Sequence, residues 1–127
     1  MDIKKMEKTK SIVEDLSGEE VRWEGTKNNK MYFKAKSKYI SKNEYCFDLE
    51  TKELFVRKIL NDQVGEVGEF KKLLASKKVE LVTGTVRPRL LAHKYEDGSI
   101  KVKNSGRWLP VEQYNKENQQ AFKRAFE

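Results

Sequence analysis

Residues 31–40 constrain the fold more than any other stretch, because Met31, Phe33, Ala35 and Tyr39 occupy one parity and Tyr32, Lys34, Lys36 and Lys38 the other. Side chains alternate across a strand, so this segment predicts one dry face and one lysine-rich face. Such a strand belongs to an antiparallel sheet with one face packed and the other wet. Its neighbours extend the pattern. Val21 and Trp23 alternate with Arg22 and Glu24, and GTKNNK supplies turn residues before residue 31. Tyr45–Leu49 and Leu54–Ile59 flank the polar ETKE and read as a second hairpin.

Elsewhere the hydrophobic period is helical. Ile3, Met6, Val13 and Leu16, widened by Ile12, predict an amphipathic helix over residues 3–16 with Gly18 as its C-cap. Val67, Phe70, Leu73 and Leu74 predict a central helix over residues 62–76, firm from Glu66, although Gly65 and Gly68 weaken its first half. Extended chain returns at Val79–Thr85, Pro88 marks an edge or bend, and Leu90–Tyr95 leads through the Asp97-Gly98 turn into Ile100–Val102. After Gly106, Pro110 suits a first helical position, and Val111, Tyr114, Ala121, Phe122 and Ala125 predict a C-terminal helix. The order lacks a repeating βαβ rhythm. The expectation is an α+β fold with a mainly antiparallel sheet of about six or seven strands and an N-terminal, a central and a C-terminal helix.

The length of 127 residues suits a single domain spanning 1–127. Apolar and charged residues each make up 37% of the chain, so the core must be small, although 13 aromatics argue for folding. The N-terminal MDIKKMEKTK has no apolar run to act as a signal or membrane segment, and one cysteine, Cys46, makes no internal disulfide. A cytoplasmic protein without membrane contact is expected, with Cys46 a small, partly buried hydrophobe.

The net charge of +7 is patterned. Residues 1–26 carry −2, 27–43 carry +6, 44–70 carry −4, 71–107 carry +7, and 108–127 are neutral. The first basic block holds six lysines and no acid. With Tyr32 on the same face as Lys34, Lys36 and Lys38, it suits a phosphate backbone with a ring available for base stacking. The second block contains Arg87, Arg89, His93 and Tyr95 at one parity, groups able to bind phosphate. Lysine outnumbers arginine 21 to 6, which favours nonspecific phosphate contact over bidentate reading of base edges.

No GxSxG, GxxxxGK[ST], GxGxxG, HExxH or CxxC occurs, so no cofactor or metal is expected. Asp48, Glu50 and Glu53 gather at a turn, where acids are ordinarily solvated. The leading expectation is therefore a small nucleic-acid-binding accessory or regulatory protein, contacting DNA or RNA through Tyr32, Lys34, Lys36, Lys38, Arg87, Arg89, His93 and Tyr95. One alternative is a modulator that docks on an acidic protein surface or a larger machine, such as transcription or defence machinery, through an exposed Trp108. Another is a metal-independent ribonuclease using His93, Tyr95, Arg87 and Arg89.

Overall fold

Residues 3–39, 41–60, 68–81 and 87–127 are described in a computed structural model. Helix α1 (Ile3–Ser17) is followed by strands β1 (Val21–Lys27), β2 (Lys30–Ala35), β3 (Ser41–Asp48), β4 (Leu54–Leu60), β5 (Lys71–Glu80), β6 (Arg89–Tyr95), β7 (Ile100–Asn104) and β8 (Arg107–Pro110). A 3-10 turn (Val111–Gln113) and helix α2 (Lys116–Ala125) complete the described elements. The eight strands pair antiparallel in sequence order, β1 to β8. The fold is α+β, as the order of periods predicts, with more strands than expected and two helices among the described residues.

Turn chemistry explains the meander. Asn28 and Asn29 both take positive φ, 52° and 62°, the left-handed pair that matches the twist of a tight hairpin. Asp48 Oδ1 accepts from the amides of Glu50 at 2.9 Å and Thr51 at 3.1 Å, closing β3 onto β4. Asp97 Oδ1 accepts from Ser99 N at 2.9 Å, with Gly98 at φ +87°, closing β6 onto β7. Ser105 and Gly106 form a further left-handed pair that creates β8, a strand not expected from sequence. Pro110 accordingly ends β8 instead of opening a helix. Helix α2 starts later, where Asn115 Oδ1 accepts from Asn118 N at 2.8 Å.

The central helix is a correction. Residues 61–67 lie outside the described set, but Lys71–Glu80 is a strand paired with β4 and β6. The register shifts between Leu73 and Ala75, a bulge that breaks period two. Leu73 points into the core while Leu74 is 52% exposed, so apolar neighbours at 70, 73 and 74 imitate a helical stripe.

Helix α1 packs against β1, β3 and β5, and β8 returns against β3, so the sheet curls around the helix. The buried row of α1 is Thr9, Val13 and Ser17, with Met6 and Ile12 partly buried; Ile3 and Leu16 from the expected stripe are 66% and 43% exposed. Val13 belongs to one buried cluster with Val21, Phe33, Tyr45 and Val56 inside the curl. Burying side chains of this size contributes about 1.5–3 kcal/mol each. Gly18 caps α1 at φ +74°, its amide bonded to Glu14 O at 2.8 Å, and a Cβ there would stand 2.7 Å from Leu91 Cδ1. On the opposite face of β5–β7, Val79, Ala92 and Val102 pack with Phe122 of α2. Strand β6 is thus covered on both sides.

Candidate functional site

The expected lysine face is real but short. Met31, Phe33 and Ala35 are buried, leaving Tyr32 and Lys34 on the outer face, and β2 ends at Ala35. Pairing then places acids beside the lysine. Lys34 lies opposite Glu44, and its ammonium is 3.8 Å from Glu24. Glu44 also bridges Arg57 at 2.5 Å. Tyr32 packs on Phe70, ring centroids 6.3 Å apart, and Phe70 in turn lies 4.5 Å under Arg57. Tyr32 and Lys34 therefore belong to a charge-balanced surface rather than an open cationic strip. Cys46 lies beside Tyr32 across the strand pair, and burial raises its pKa, which disfavours a reactive thiolate.

Arg87 and Arg89 are exposed near Glu80, at 3.6 Å from Arg87 and opposite Arg89 in the register. They do not meet His93 and Tyr95, which lie inside the curl with Trp108. His93 is fully buried and stacks on Trp108 at 4.1 Å. Its Nε2 lies 2.6 Å from Ser17 O, which can only accept, so Nε2 carries the proton and Nδ1 faces the Tyr95 hydroxyl at 3.3 Å. With both nitrogens engaged internally, the ring offers no atom to a ribonuclease substrate. Trp108, at 7% exposure, is a wall of the core and not an exposed docking anchor.

Around this ring lies a buried polar network. Glu19 accepts from the Tyr45 hydroxyl, from Asn43 Nδ2 at 3.4 Å and from Lys103 Nζ at 3.0 Å. Burial, and then the Glu19 charge, hold the Tyr45 phenol well above its ordinary pKa, so it stays a donor. Burial depresses His93 to about 4, outweighing the Ser17 carbonyl and Glu19, which favour its charged form, while Lys103 opposes it. The folded state therefore binds the proton less well than the unfolded chain. The stability this contributes is complete above the unfolded value of about 6.5 and is lost as pH falls toward the folded value. The expected loss is about 2 kcal/mol by about pH 5, absent from His93→Gln. Urea unfolding at several pH values checks it; an identical slope in both proteins contradicts it.

The lysines open to an anion gather at and past the end of β2. Arg22, Lys36, Lys38 and Lys42, with Ala35 and Ser37, line a hollow of about 340 Å³ whose lining contains no carboxylate. Arg22 bonds Glu24 at 3.1 Å. Lys36 and Lys38 are exposed, and among the described residues they have no ion pair. Sequence parity singled out these two lysines; Arg22 and Lys42 join them only because β1 and β3 flank β2.

A second cationic group stands at the seam where β8 returns against β3. Lys58, Lys71 and Lys101, with Arg57, line a cleft that also holds Asn43, Glu69, Tyr95 and Trp108. The pKa of Lys101 is lowered by burial, then by Lys58 and Lys71. None of these lysines stood out in sequence, since they come from three strands.

Comparison with known protein families, curated proteins and solved structures finds no match. Among the described residues no group of His, Cys, Asp and Glu is arranged to hold a metal ion, and no helix is long and apolar enough to cross a membrane.

Proposed function

We propose that the protein binds nucleic acid through its phosphate backbone, largely without reading sequence, in an accessory or regulatory role. The observation that carries this reading is the hollow lined by Lys36, Lys38 and Lys42, together with Arg22, which Glu24 already engages, with no acid in the lining itself. Lysine ammonium groups are point donors suited to phosphates, whereas base reading needs planar, bidentate partners. Tyr32, Lys34, Arg87 and Arg89 are not in its lining, and neither pair is needed for it. The test is a salt titration with single- and double-stranded DNA and RNA. The logarithm of affinity should fall linearly with that of salt, with slope about −2 to −4 for three or four phosphate contacts. Failure to bind at low salt, or binding indifferent to salt, refutes the reading.

A second reading, docking on a larger protein machine, draws support from a different place than Trp108. Leu16 and Leu74, 43% and 52% exposed, border a hollow of about 190 Å³ with Leu54 and Leu73. A stoichiometric partner that survives nuclease treatment in a pull-down, and is lost on Leu74→Glu, favours it; recovery of nucleic acid alone counts against it.

A further inference from the structure

Two hollows open on the seam where β8 returns against β3. The larger, about 310 Å³, is lined by Tyr39, Ser41, Lys58, Arg107, Trp108 and Leu109. The smaller, about 180 Å³, carries Lys58, Lys71 and Lys101. They share Lys58 and Trp108. Lys71 is paired with Asp97 at 2.9 Å, but among the described residues Lys58 and Lys101 have no ion pair. Two unpaired ammonium groups with a paired third beside them leave this cleft in want of an anion, only partly met by Glu69 on its lining. The adjoining hollow differs in kind. It is bounded by the ring of Tyr39, from the segment between β2 and β3, by that of Trp108 on β8 and by Leu109, and the Tyr39 ring lies so close over Gly106, at φ +81°, that a Cβ there would collide with it.

A charged cleft joined to an aromatic-walled hollow has the makeup of a nucleotide site: phosphate in one, base in the other. Building on the polyanion reading above, we propose that the seam takes one unpaired nucleotide of a single strand, its phosphate on Lys58 and Lys101 and its base between Tyr39 and Trp108. A base stacked and paired in a duplex is not available to enter such a hollow. The basic hollow at Lys36, Lys38 and Lys42 then tracks neighbouring phosphates of any strand, while the seam confers preference for single strands.

Fluorescence anisotropy at fixed salt tests this with three labelled probes: a single strand of about 12 nucleotides, an abasic sugar-phosphate strand of equal length, and a duplex. The ordinary strand should bind about tenfold tighter than the abasic one, the size of one base stacked on an aromatic ring. Tyr39→Ala should close that gap, and Lys101→Met, which removes a phosphate contact open to both single strands, should weaken the ordinary and the abasic strand alike by about three- to tenfold; each should leave duplex binding within about twofold of the unaltered protein. Tyr39 lies between β2 and β3 and Lys101 on β7, so one misfolded variant does not remove the test. Equal binding of ordinary and abasic strands, a gap that survives Tyr39→Ala, or single-strand binding unmoved by Lys101→Met in a folded protein overturns the seam proposal while the polyanion reading stands. Absence of binding to all three probes overturns both.

Discussion

Glu19→Ala is expected to destabilise the fold by about 3–5 kcal/mol, because it removes the acceptor on which three buried or half-buried donors converge. Glu19 is 6% exposed, and Asn43 and Tyr45, which donate to it, are buried with it. Without the carboxylate, the Tyr45 hydroxyl and Asn43 amide lose a partner in a region closed to water. Lys103 is the least constrained of the three, with its side chain 32% exposed, so it can turn partly to solvent and hold the cost toward the lower end. Glu19→Gln keeps the shape and an acceptor oxygen but drops the charge, and should cost about half as much. Chemical denaturation of both variants and of Lys103→Met separates charge from hydrogen bonding. A loss under about 1 kcal/mol for Glu19→Ala would mean that the network contributes little beyond its packing.

Joint replacement of Lys36, Lys38 and Lys42 by glutamine should weaken nucleic-acid binding on the order of a hundredfold at about 0.1 M salt and reduce the salt slope by about 2–3. Each lost phosphate contact removes one counterion-release term, so slope and affinity must fall together. Two of the three lysines are exposed and lie beyond β2, so the thermal transition should hold steady. Lys34→Gln is the internal comparison. Its ammonium already meets Glu24 and its strand position lies opposite Glu44, and its replacement should change binding by less than about threefold. Equal losses from Lys34→Gln and from each of the other three would place the contact on the strand face instead of the hollow.

Much of the fold was legible because burial selects residue type locally. Met31, Phe33 and Ala35 mark the inner face of β2 whatever surrounds it, and Asn28-Asn29 and Asp97-Gly98 carry their turns in their own φ preferences. The central segment was misread where local signals conflict, since the bulge at Leu73 and Ala75 gives a strand the spacing of a helix. In α1, the polar Thr9 and Ser17 occupy the buried row and leave Ile3 exposed. Their hydroxyls bond locally, Thr9 to Lys5 O at 2.8 Å and Ser17 to Glu19 N at 3.2 Å, so burial costs them little and hydrophobicity alone mislocated the stripe.

The candidate site divides along the same line. The sequence by itself determined that positive charge falls in two blocks, that strands carry it, and that His93 and Tyr95 share a parity. Only the tertiary structure decided which charges stay open. Counting along the chain separates the lysines of residues 27–43 from the acids that follow, yet pairing of β2 with β1 and β3 sets Glu24 and Glu44 beside Lys34 and leaves Lys36 and Lys38 uncompensated past the strand end. Likewise the curl of the sheet, which returns β8 to β3, buries His93, Tyr95 and Trp108 and gathers Lys58, Lys71 and Lys101 at one seam. Coulomb interaction depends on distance in space, and in an antiparallel sheet the nearest charge is set by register across strands, a quantity that no window along the sequence contains.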